Sequence, residues 1–109
     1  MTAVRRRVLL DECLPHDLRH AITGHDVETA RYAGVAELTN GLLISANEGR
    51  YDALVTMDGN LPYQQNLAGR TLAVIILRAN SNRISDLLPL VPELLRVLET
   101  IAPSTVEFV

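Results

Sequence analysis

Apolar residues gather in short unbroken runs along this chain. Val8-Leu9-Leu10, Ala53-Leu54-Val55 and the stretch "LAVIIL" at 72–77 carry no polar residue at alternate positions. Runs of this kind are expected of strands covered on both faces. The pattern predicts strands over 4–10, 25–30, 53–57, 71–77 and the closing "TVEFV". Between them the spacing becomes helical. Leu14, Leu18, Ala21 and Ile22 recur on one face, Pro15 suits a first helical turn, and Gly24 marks the stop. Asn40 is a good N-cap for a second helix carrying Leu42, Leu43 and Ala46, which closes near Gly49. Residues 31–39 read as a loop or irregular helix, and 59–69 as a loop with a single helical turn. Residues 84–101 carry the stripe Leu87, Leu88, Val91, Leu94, Leu95, Leu98 and Ile101, which Pro89 and Pro92 divide into two helical pieces.

Strands alternating with helices predict an α/β domain with a mainly parallel sheet and helices on both faces. A length of 109 residues suits one domain over 1–109, large enough for a core without disulfide or structural metal. No apolar stretch approaches the roughly 20 residues that span a bilayer, and the basic start lacks a secretory apolar segment. The expectation is a cytoplasmic protein with no membrane partner. The formal net charge is −3, with 13 acids against 10 basic residues, all arginine. That balance does not advertise a nucleic-acid binder, so any such binding must come from a local patch or a bound cation.

Two of the predicted strands end in an acid: "VLLD" gives Asp11 and "LVTMD" gives Asp58. Ligands of open α/β sheets bind outside the carboxyl ends of the strands. If the first and third strands are neighbours, the two carboxylates converge. Like charges so placed resist joint ionisation, and a hard divalent cation, Mg²⁺ or Mn²⁺, removes the conflict. Such a metal binds a phosphodiester and activates water for attack on it. The alternative, in which both acids solvate strand ends or cap helices, stays open. Glu12 either reaches the same metal or faces solvent. Thr56 precedes Asp58 by two and shares its side of the strand, or is an ordinary β-branched residue. Asn60 donates to an oxygen, acts as a neutral ligand, or is the turn residue of "DGN", as propensity favours. Arg78, directly after the fourth strand, clamps a phosphate or pairs with an acid. Cys13 reads as packing, since two preceding acids would raise its pKa. His16, His20 and His25 read as surface residues, and Arg5-Arg6-Arg7 meets RNA or an acidic partner or, as favoured, is a solvated strand start.

The segments "LLDECLP", "GHDV", "NGLLISANEGRYD", "LVTMDGNL" and "VIILR" occur in the order seen in the PIN-like family of small bacterial proteins, which are similar to compact VapC-type toxins. The resemblance runs over nearly the whole chain. It implies a three-layer α/β/α fold and an acidic, Mg²⁺-dependent ribonuclease centre. It also implies a toxin role, with RNA as substrate and a small DNA-binding antitoxin as partner. By position, Asp11 is the family's first acid and Asp58 the acid of its "T-x-D" strand. Asn40 and Asn60 stand where relatives often carry acids. These departures remove two charges and should weaken metal affinity, with Glu12 and Glu37 nearby to compensate. Two functions follow: a metal-dependent ribonuclease toxin, or a catalytically weakened PIN-like module that binds a partner protein or RNA. A phosphatase or DNA nuclease is a third. The C-terminal helix and "TVEFV" offer a homodimer or antitoxin contact, or are ordinary core.

Overall fold

The computed structural model describes residues 4–32, 49–60 and 71–109. Five strands form one sheet: β1 (Arg7–Leu10), β2 (Asp26–Thr29), β3 (Ala53–Thr56), β4 (Ala73–Ile76) and β5 (Val106–Phe108). Their order is β2-β1-β3-β4-β5 and every pairing is parallel. The chain steps outward from β1 to β2, then returns past β1 to lay down β3. Leu10 is in register with Thr29 on one side and Val55 on the other. Pairing continues beyond the strands: Asp11 N–H donates to the Val55 carbonyl (2.9 Å), Ala30 N–H to Leu10 (2.8 Å) and Arg78 N–H to Val109 (2.8 Å).

Alternate side chains of these strands fill two cores. Val8, Leu10, Ala53, Val55, Ala73 and Ile75 face one side, and Leu9, Leu54, Val74 and Ile76 the other, all essentially inaccessible to water. Burial on both faces is why the runs lack alternation. The described helices, α1 (Leu18–Ala21), α2 (Ile84–Leu87) and α3 (Val91–Thr100), pack their apolar residues Leu18, Leu87, Leu94, Val97 and Leu98 on the first face. The helix expected to open at Asn40 lies outside the described residues. No described helix is long and apolar enough to cross a membrane.

Two expectations change. The first helix is shorter than the stripe from Leu14 to Ile22 suggested. Leu14 N–H donates to the Asp11 carbonyl and Leu18 N–H to Pro15, so Pro15 sits in turns that lead into α1. The stripe still buries Leu14, Leu18 and Ile22, and Gly24 takes the left-handed φ of 82° that ends the excursion. The 84–101 segment is three pieces, with a 3₁₀ turn (Leu88–Leu90) between α2 and α3. Pro89 and Pro92 each fall at the start of a piece, where a missing N–H leaves no bond unmade. The extra turn rotates Leu88 off the stripe, and it is 45% exposed.

Candidate functional site

The strand order reverses between β1 and β3, and the crevice outside their carboxyl ends is where open α/β sheets place ligands. Asp11 follows β1 directly, Thr56 is the last residue of β3, and Asp58 lies two residues on. Thr56 is fully buried yet polar. Its hydroxyl donates to Asp11 Oδ2 (2.7 Å) and accepts the backbone N–H of Asp58 (3.1 Å). One side chain therefore fixes the first carboxylate and the start of the loop that carries the second.

The surrounding bonds extend this frame. Asp11 Oδ1 accepts the Glu12 N–H (2.8 Å), and Asp58 Oδ1 accepts the Asn60 N–H (3.0 Å), a turn closed by its own aspartate. Asn60 thus sits in the turn that propensity favoured, and its side chain is exposed, as is Glu12. Cys13 Sγ lies 3.8 Å from Thr56 Oγ1. Thr56 has given its single proton to Asp11, so the thiol is the donor in this contact. Burial pushes the Cys13 thiol above its ordinary pKa and the Asp11 charge adds to this, against an opposing bond from the Met57 backbone. Such a thiol is held in its neutral form, in keeping with packing rather than nucleophilic chemistry.

Arg78 stands exposed at the end of β4 with its guanidinium 5.5 Å from the centre of the Phe108 ring. Asn40 lies outside the described residues. Among the described residues no three His, Cys, Asp or Glu side chains form a cluster suited to a metal ion. Asn82 was not anticipated: its Nδ2 donates to the Cys13 carbonyl (3.1 Å), tying the loop after β4 to the loop after β1. The signal was its place in "RANSNR", directly beyond a strand at the same sheet edge. The three histidines divide. His16 and His20 are exposed, but His25 is partly buried and its Nδ1 accepts the Arg6 N–H (2.9 Å).

No family model matches this chain, and no curated protein or solved structure matches it.

Proposed function

We propose that this chain is a PIN-like, metal-dependent endoribonuclease, the toxin of a toxin–antitoxin pair. The observation that carries the reading is the Thr56 hydroxyl, which joins Asp11 to the Asp58 loop at the point where the strand order reverses. The donor set fits Mg²⁺ or Mn²⁺, since such ions are commonly held by one or two carboxylates, with waters and substrate phosphate completing the shell. Asp11 and Asp58 would hold the cation. Each hydrogen-bonded oxygen of Asp11 keeps acceptor capacity after one bond. When bound, such a cation supplies Lewis-acid polarisation of the scissile phosphate and a nucleophilic water near neutral pH.

The chain's own residues supply the rest. Thr56 holds Asp11 in one rotamer, so ordering it costs nothing at the moment of reaction. Glu12 adds negative charge beside Asp11 and assists directly or through water. Arg78 offers a guanidinium to phosphate oxygens, and Asn60 an amide to RNA or the attacking water. Asn40 takes the same supporting role by its place in the sequence. The toxin role and the small DNA-binding antitoxin rest on the family resemblance.

The test is cleavage of a mixed RNA pool with Mn²⁺ or Mg²⁺ by the wild type, Asp11→Asn and Asp58→Asn. Loss of a ligand should cost at least about 100-fold, more than outer-shell changes usually do. Equal rates in all three would overturn the assignment.

A second reading is a PIN-like module that binds a partner protein or RNA without cleaving it. It is favoured by Asn60, which takes the place of an acid and contributes a backbone N–H to Asp58. Calorimetric titration separates the two, because absence of Mn²⁺ binding at millimolar metal selects the binding module.

A further inference from the structure

A cavity of about 560 Å³ opens along β2, the strand at one edge of the described sheet. Its described lining includes His16, Arg19, Glu28, Thr29, Arg31 and Tyr32. This volume falls in the range of small-ligand sites, about 300–1,000 Å³. Thr29 and Arg31 of the lining flank Ala30, which pairs with the end of β1. The Ala30 N–H donates to the carbonyl of Leu10, so this end of β2 lies one strand spacing, about 4.8 Å, from the residue before Asp11.

Its chemistry is cationic and aromatic. Arg31 makes no ion pair among the described residues. Arg19 gives one N–H to the His16 carbonyl (2.8 Å), which leaves donors of its fork over. The acid in the lining, Glu28, already accepts the Tyr51 hydroxyl (2.5 Å). Tyr32 is 81% exposed while its backbone is anchored, its N–H bonded to Thr29 Oγ1 (3.2 Å). An exposed ring on a fixed backbone is a stacking platform, and guanidinium forks match phosphate oxygens.

We infer that this cavity is a subsite for one nucleotide of single-stranded RNA next to the scissile phosphate. The base stacks on Tyr32, and Arg19 and Arg31 hold the adjoining phosphate. The inference rests on the ribonuclease reading for its place along the substrate, but its test reads binding without cleavage.

The probe is a fluorescein-labelled single-stranded RNA of about eight nucleotides, within the usual span of such sites. It is titrated by anisotropy into the full chain in EDTA. Tyr32→Ala should weaken binding about tenfold or more, and Tyr32→Phe should keep it, because stacking needs only the ring. Arg31→Ala and Arg19→Ala should each weaken binding and lower the salt slope by about 1. Arg5→Ala, at the amino end of β2 where it pairs with Asp26, should leave it unchanged. Equal affinity across all variants overturns the subsite, as does absence of binding by the wild type. If Asp11→Asn cleaves like the wild type while Tyr32→Ala still loses binding, the ribonuclease reading fails and the subsite stands. If cleavage depends on Asp11 but these variants bind alike, only the subsite fails.

Discussion

At the amino edge of the sheet, each arginine entering β1 is bound to a neighbour. Arg5 pairs with Asp26 at 2.6 Å. Arg6 donates to the carbonyls of Leu98 (2.8 Å), Glu99 (3.2 Å) and Ile101 (3.3 Å) at the end of α3. Arg7 gives its backbone N–H to Asp52 Oδ2 (2.8 Å) and a guanidinium N–H to the Gly49 carbonyl (3.2 Å). At the carboxyl edge the cations Arg31 and Arg78 pair with no carboxylate among the described residues, and the buried hydroxyl of Thr56 is spent on holding acids. One edge uses its charges to close the fold. At the other, Arg31 and Arg78 take no part in such closure among the described residues. The donors of Arg5, Arg6 and Arg7 are thus engaged within the fold.

The contrast is broken most directly at Thr56. Thr56→Val keeps the shape but leaves Asp11 Oδ2 without its donor and the Asp58 N–H without its acceptor. An orphaned buried polar group costs about 1–3 kcal/mol, so the melting temperature should fall. Removing an orienting partner should also reduce Mn²⁺-dependent RNA cleavage by about 10–100-fold. Thr56→Ser, which restores the hydroxyl, should recover most of both. If Thr56→Val cleaves as fast as the wild type, the carboxyl-edge frame has no part in activity.

Much of this edge was legible in the sequence, but unevenly. The apolar runs gave away buried parallel strands, because a two-sided strand has no reason to alternate. Asp11 and Asp58 stood out because each breaks such a run. Joining the Asp11 carboxylate to the Asp58 loop through Thr56 depended on β1 lying beside β3, which no local pattern encodes. Thr56 looked weak because a β-branched residue suits any strand, and only the cross-strand register brings Asp11 to its hydroxyl. Arg31, Tyr32 and Asn82 lie where no periodicity marks them. They emerge only when the residues following each strand are gathered at one edge. Arg6 was hidden for a similar reason: its partners lie more than 90 residues away. Its neighbour Arg5 fits the solvated strand start that the run of three suggested.

Arg6 gives the opposite test. The last carbonyls of a helix lack intrahelical donors, and a cation there also meets the negative end of the helix dipole. Arg6→Ala should cost about 2 kcal/mol, within the range for a hydrogen bond to a charged group. For a domain this size that lowers the melting temperature by roughly 10 °C. RNA cleavage per folded molecule should not change. A cleavage defect beyond the unfolded fraction would show that the two edges are coupled.

A smaller effect is expected from His25, whose Nδ1 accepts the Arg6 N–H and must be unprotonated to do so. Burial, then the charges of Arg6 and Arg5, hold its pKa below the ordinary value, with Glu99 and Asp26 opposing. The unfolded chain binds this proton near pH 6.5, and the folded chain only at lower pH. The neutral ring's contribution is therefore complete above about pH 6.5 and is lost as pH falls through the folded value. Denaturant midpoints should decline over that interval in the wild type. In His25→Asn, which can offer a non-titrating oxygen in place of Nδ1, the decline should flatten. An identical slope in both would assign it to other groups.

The smallest effect should come from Arg5→Ala. Arg5 and Asp26 make a short, direct bond, and that bond holds the Asp26 carboxyl below its usual range. Yet their side chains are 63% and 58% exposed. Water screens the pair, and ordering two side chains consumes much of what the contact returns. Melting at moderate salt should therefore match the wild type, in contrast to Arg6→Ala one residue along. If Arg5→Ala fell as far as Arg6→Ala, the helix-end carbonyls would not be what makes Arg6 matter. The amino edge would then act through its summed positive charge, and raising the salt concentration should weaken both variants' deficits together.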